Sequence, residues 1–229
     1  MIEVWINERE RKMNTYLTID EQDEEYIINV EISDSEKIDR NKLNKTIKQI
    51  SKFIKKNDKK RKDVIINTSL DLEKDEKENS QMLTLISALN ACKIREKKKR
   101  IEYIYMSACK YLDNEFINNN ICEFSNDICL GKKKYNMKNG CCHEYKMKNI
   151  LYPKDIQLCK YQKDKHCTAD CLGCKVYVCD EVKKKGYKYT YYNVPLIKYF
   201  FNAKQKIIIR CSLFKNKEQI LKKLYFFDF

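Results

Sequence analysis

Tyr26-Ile-Ile-Asn-Val-Glu-Ile32 and Val64-Ile-Ile-Asn-Thr-Ser-Leu70 flank Lys42-Leu-Asn-Lys-Thr-Ile-Lys-Gln-Ile-Ser-Lys-Phe-Ile54. In the first stretch Tyr26, Ile28, Val30 and Ile32 alternate with Asn29 and Glu31, the period of a half-buried strand, and Val64, Ile66, Thr68 and Leu70 repeat it. Between them Leu43, Ile47, Ile50 and Ile54 recur at helical spacing with lysines on the opposite face, and Asp39 is placed to cap that helix. The pattern predicts strand, helix, strand. Downstream, Met82, Leu85, Ile86 and Leu89 predict a second amphipathic helix ended by the Lys97–Arg100 charge run. Upstream, Ile2–Ile6 and Tyr16–Ile19 add candidate strands.

Ile101, Ile104, Ala108, Leu112 and Phe116 form another helical stripe, with a strand over Ile101–Met106 as the alternative because Ile and Tyr favour sheets. Further on, Tyr187, Tyr189 and Tyr191 alternate like a short strand. Leu196–Phe201, Ile207–Phe214 and Ile220–Tyr225 are apolar enough for packed helices, and Pro195 suits a helix start. The expected class is α+β. Residues 1–100 form a small sheet with amphipathic helices, and 101–229 form a mostly helical half built around a cysteine-rich metal module at 122–179.

With 229 residues, 43% of them apolar, the chain can bury a core, which excludes a disordered polymer. Four Gly and two Pro exclude a Gly-rich phosphate loop, and with it P-loop and Rossmann chemistry. The formal charge is +14, unevenly shared: 23 basic against 20 acidic side chains in residues 1–100, and 24 against 13 in the remainder. Met1–Lys12 is charged throughout, unlike a secretion signal, and no uncharged run approaches the ~18 residues of a membrane helix. A reducing cytoplasm, without membrane attachment, is therefore the expected compartment, where clustered cysteines serve as thiolate ligands or redox groups more readily than as disulfides. The first half holds no His and no catalytic constellation, and reads as a scaffold.

Nine of the twelve cysteines crowd into 122–179: Cys122, Cys129, Cys141, Cys142, Cys159, Cys167, Cys171, Cys174 and Cys179. Cys92, Cys109 and Cys211 stand alone in apolar periodic segments and are expected in the core, as small hydrophobes. Cys171-Leu-Gly-Cys174 is the strongest local signal, because a Cys-x2-Cys turn brings two sulfurs to one ion with little chain entropy lost. Gly173 is expected to supply a positive φ there. Adjacent Cys141 and Cys142 point apart and suit two sites, or one site and the core. The only histidines, His143 and His166, each touch a cysteine in sequence and are candidate ligands or supports of ligands. Nine thiols exceed the four of one tetrahedral zinc, so the alternatives are two zinc ions, a cluster with spare thiols, or some cysteines in the core. Cys167-x3-Cys171-x2-Cys174 also has the spacing that holds a [4Fe–4S] cluster in radical S-adenosylmethionine enzymes. Here only 55 residues follow Cys174, and Gly173 stands where an aromatic is usual.

Asn139-Gly-Cys-Cys142, Leu158-Cys-Lys-Tyr161, His166-Cys167 and Cys174-Lys-Val-Tyr-Val-Cys179 resemble the YkgJ-like cysteine-cluster family of zinc- or iron-chelating domains. The resemblance spans about 60 residues and implies metal ligation by Cys141, Cys142, Cys159, Cys167, Cys174 and Cys179. The family's leading Cys-x2-Cys is missing, with Cys122 and Cys129 standing farther off; its Arg-Pro is absent and Cys171 is additional. The resemblance implies metal binding without a reaction.

Three functions follow as expectations. The first is a cysteine-cluster protein with one or two zinc ions of mainly structural purpose. The second is a basic nucleic-acid-binding zinc protein, using Lys132–Lys134 and Lys183–Lys185 for phosphates and Tyr187, Tyr189, Tyr191 and Tyr192 for stacking. The third is an iron–sulfur redox or radical-type enzyme, for which no catalytic residues can be named; Asp113 and Glu115 do not share a helical face.

Overall fold

The computed structural model describes residues 15–32, 40–68, 80–119, 121–122, 124–125, 128–129, 143–149, 152–158, 162–163, 166–178, 180–213 and 215–227. Ile2–Ile6, Asp39, Leu70 and Lys132–Lys134 lie outside them. The architecture is α+β, a small N-terminal sheet followed by mostly helical structure. The chain divides into two compact units, 1–107 and 108–229.

In the first unit, β1 (Thr15–Glu21) pairs antiparallel with β2 (Glu25–Ile32), which pairs parallel with β3 (Asp63–Thr68). Ile19, Ile28 and Ile66 stand in one row across the sheet. A parallel pair needs a crossover, and α1 (Arg40–Lys60) provides it. Tyr26, Ile28 and Val30 alternate into the core, as the period requires, and Leu43, Ile47, Ile50 and Ile54 are buried along α1. Tyr26 meets Phe53 edge-on, with ring centroids 4.9 Å apart.

Helix α2 (Ser80–Lys93) packs against α1 and β3. It departs from the amphipathic expectation, because Met82 through Leu89 are all buried. Thr84 and Ser87 are small enough to enter the core, and the Thr84 hydroxyl donates to the Ser80 carbonyl at 2.8 Å, which satisfies it within the helix. Nor does the Lys97–Arg100 run end this helix. It forms the first turn of α3 (Lys97–Asn118), after a break at Ile94–Glu96. Ile101–Met106 is helical: Ile101, Ile104, Ala108 and Leu112 share a buried stripe, and that spacing outweighs the sheet propensity of single residues.

The second unit contains short ladders in the cysteine-rich stretch of the half expected to be mostly helical. β4 (Phe124–Ser125) pairs with β5 (Ile128–Cys129), β6 (His143–Asn149) with β7 (Tyr152–Leu158), and β8 (Gln162–Lys163) with β9 (His166–Cys167). The hairpin signal lies in Tyr145 and Met147 alternating with charged residues; its register shifts at Met147, which faces Pro153, a residue without an N–H to give. Then follow α4 (Leu172–Val176), α5 (Asp180–Lys184), α6 (Pro195–Phe200), α7 (Ala203–Arg210) and α8 (Lys217–Phe226). Pro195 opens α6, as expected.

The strand expected over Tyr187–Tyr191 does not form. Those tyrosines alternate half-buried with exposed Lys188 and Thr190, but Asn193 takes the backbone groups a ladder would need: it accepts from Thr190 N–H at 2.5 Å and donates to the Lys188 carbonyl. Among the described residues no helix is long and apolar enough to cross a membrane.

Candidate metal centre

A five-residue helix such as α4 has no stability of its own, so its position comes from what it touches. Leu172 and Val176 are buried. Gly173 presses on the end of α7: a Cβ there would lie 2.4 Å from the Ile209 carbonyl oxygen and 3.4 Å from that of Ser212. Glycine is required by this close approach, and the expected positive φ is absent; among the described glycines it occurs at Gly186, at 88°. The fully buried Cys171 donates its thiol to the Ser212 carbonyl, with Sγ 2.9 Å away. Lys175, its side chain 3% exposed, places Nζ 2.5 Å from Asp113 Oδ1 on α3. Cys174 is half-buried, one helical turn after Cys171.

Cys211 corrects the sequence reading. It is exposed, not in the core, because it caps α7 two residues beyond buried Ile209, at the helix end that receives α4. Periodicity through Ile207 and Ile209 gave no warning that the helix stops at Arg210. Tyr191 stands near all three of these cysteines. Burial, chiefly, pushes its phenol up to about 12; Arg210 opposes, and the neighbouring Cys171, Cys211 and Cys174 add to the rise.

Cys92 and Cys109 are buried, as expected. Cys92 donates to the Ala88 carbonyl at 3.6 Å, and burial pushes its thiol up to about 12. Burial also raises Cys109, against the pull of Lys175. Neither is a thiolate at neutral pH, so neither is a nucleophile.

Cys122 is half-buried against a cluster of Ile121, Val178 and Val182, joined by Phe116, Tyr187 and Tyr189. Cys122 and the residue preceding Cys179 thus meet in one cluster. In the β6–β7 hairpin, His143, which follows Cys142, pairs with Leu158, which precedes Cys159. Cys129 pairs with Phe124, Cys167 with Gln162 and His166 with Lys163 along the backbone. Cys141, Cys142, Cys159 and Cys179 lie outside the described residues, as do the side chains of Cys129, His143, His166 and Cys167. Among the described residues, no three His, Cys, Asp or Glu side chains gather closely enough to hold a metal ion.

The tyrosines expected to stack on bases are partly spent on the core. Tyr187 and Tyr189 pack on the Val178 cluster, and Tyr189 donates to Glu115 at 3.2 Å. The exposed tyrosine rings among the described residues are Tyr192, one of those expected, and Tyr177, which was not. Tyr177 lies 5.9 Å below Lys183 Nζ and Tyr192, 71% exposed, lies 5.9 Å from Lys206 Nζ.

Comparison with protein-family models, curated proteins and solved structures finds no match to this chain.

Proposed function

We propose that the second unit is a metal-binding cysteine-cluster module of YkgJ-like character, holding one or two zinc ions whose main purpose is structural. The observation that carries this reading is the Cys171–Cys174 turn, clamped at Gly173, Cys171 and Lys175 so that two cysteines are fixed one turn apart. Two further juxtapositions support it: Cys122 beside Val178, and His143 registered with Leu158. Cys167, Cys179, Cys141, Cys142, Cys159 and Cys129 supply the remaining donors, with His143 or His166 as imidazole ligands. Zinc is favoured over a [4Fe–4S] cluster because the residue before Cys174 must be glycine to clear the Ile209 carbonyl, where the cluster motif has an aromatic. Binding an ion requires Cys171 to give up its proton and its bond to Ser212, so metal uptake releases acid. Structural zinc supplies about 10–16 kcal/mol in small peptides, as much as the ~5–15 kcal/mol net stability of a domain.

The test is elemental analysis and an optical spectrum of the whole chain purified without oxygen. Stoichiometric zinc, lost in Cys174→Ser together with the melting transition of the second unit, supports the proposal. Iron with acid-labile sulfide and a brown colour replaces zinc with the cluster. Metal-free protein of unchanged stability overturns both.

A second reading, nucleic-acid binding by the same unit, is favoured by the exposed Tyr177–Lys183 and Tyr192–Lys206 pairs, each joining a stacking face to a phosphate-seeking ammonium. Salt-dependent binding of a random single-stranded oligonucleotide, weakened by Tyr192→Ala, supports it. No retention at about 50 mM salt removes it.

A further inference from the structure

The first unit holds a cleft of about 500 Å³ where the C-terminal end of α1 faces the junction of α2 and α3. Five cationic residues line it, Arg61, Lys62, Arg95, Lys97 and Arg100, against two carboxylates, Asp58 and Glu96. Most of these charges have partners. Arg100 Nη2 donates to both Asp58 carboxylate oxygens, at 2.6 and 2.7 Å, and Nη1 donates to the Ile94 carbonyl at 2.9 Å. Arg95 pairs with Asp63, Lys62 with Glu21 at 3.1 Å, and Glu96 with Lys99 at 3.0 Å. Both carboxylates of the lining are thereby engaged, while Arg61 and Lys97 have no acidic partner among the described residues.

The position of Arg61 is enforced. Its φ of 56° is left-handed, a conformation that glycine takes freely and arginine does not, and its N–H bonds the Asn57 carbonyl at 2.6 Å. The Asn57 amide then grips the next residue from both sides, donating to the Lys62 carbonyl at 2.9 Å and accepting from its N–H at 3.1 Å. Ile54, Ile94 and Cys92 give the cleft apolar wall. Two uncompensated cations, a partly desolvated Arg100 and an apolar wall, in a space within the ~300–1,000 Å³ range of small-molecule sites, match an anionic head on an apolar or ring-shaped body.

We propose that this cleft binds a small phosphorylated molecule of nucleotide size, its phosphate held by Arg61 and Lys97 and its body against Ile54 and Ile94. The site lies wholly within the first unit and does not depend on the metal reading of the second.

The test is calorimetry on the full chain at low salt, with ATP, inorganic pyrophosphate and a short single-stranded oligonucleotide as probes. Saturable ATP binding that pyrophosphate displaces, weakened about ten-fold by Arg61→Gly and by Lys97→Glu, supports the proposal. Arg61→Gly relieves the left-handed arginine, so its melting temperature stays level or rises and the lost affinity cannot be ascribed to unfolding. Three results overturn it: no saturable binding of ATP or pyrophosphate, ATP binding that survives both substitutions, or oligonucleotide binding sensitive to both substitutions without ATP binding.

Discussion

In the first unit, α2 buries every residue from Met82 to Leu89, and β2 buries Tyr26, Ile28 and Val30, so that many apolar side chains share the work of cohesion. In the second, α4 is five residues long; it buries only Leu172 and Val176 as apolar area and is otherwise held by three single contacts: a glycine on a carbonyl, a thiol on a carbonyl and a lysine on a carboxylate. Cohesion by area tolerates the loss of any one part. Cohesion by point contacts concentrates sensitivity at a few atoms, and these surround the cysteines proposed to bind metal.

The sharpest way to break this comparison is the buried ion pair. Asp113→Ala takes this carboxylate away from the Lys175 ammonium, 3% exposed, and is expected to destabilise the second unit by about 2–3 kcal/mol, below the ~3–5 kcal/mol of a fully buried pair because Asp113 is 35% exposed. Lys175→Met, which leaves no buried charge behind, should cost about 1 kcal/mol or less. Denaturant unfolding of both variants measures the difference; a costlier Lys175→Met would mean that the lysine stem, not its charge, holds α4.

Adding or removing single atoms should have opposite effects in the two units. Gly173→Ala drives a methyl into backbone and is expected to cost about 2 kcal/mol. In α2 the Ser87 hydroxyl is buried with no hydrogen-bond partner among the described residues, so Ser87→Ala should stabilise by about 0.5–1 kcal/mol. Hydrogen exchange read unit by unit assigns each change. If Gly173→Ala leaves protection of 171–176 intact, α4 is not seated by the contact described.

The smallest expected effect sits at the surface of the first unit. Lys60 and then Lys62 hold the Glu21 carboxyl down, from its ordinary 4.5 to about 2. A lowered folded value means that the contribution of Glu21 is complete above pH 4.5 and disappears as pH falls towards 2. Glu21→Gln should therefore flatten the stability profile slightly in that window and leave the slope above pH 5 unchanged. Being exposed and screened, the group gives a shallow step, and added salt should shrink it further.

Legibility followed the same division. The period-2 rows at Tyr26–Ile32 and Val64–Thr68 and the stripe from Leu43 to Ile54 were readable because each is a local pattern imposed by one element's geometry. The nearly all-round burial of α2 was not, since whether Thr84 and Ser87 face water depends on what packs beyond them. Cys92 and Cys109 were placed by their apolar neighbours, whereas Cys211 was misplaced because the stop of α7 is set by its packing. The cleft had no sequence signal: its seven charged lining residues fall among many others, and only folding separates the paired from the unpaired.

The sequence by itself determined a strand-helix-strand core, an apolar stripe from Ile101 that suited a helix with a strand as the alternative, and a concentration of thiols between Cys122 and Cys179. Only the tertiary structure decided that Gly173 serves a close approach, that Cys171 faces a carbonyl, that Cys211 stands in the open beside them, and that Arg61 and Lys97 have no acidic partner among the described residues. The reason is one of range. Periodicity reports the environment of an element a few residues long, whereas a contact between residues 173 and 209, or a cleft lined by both 61 and 97, is a matter of distance in space that spacing along the chain does not encode.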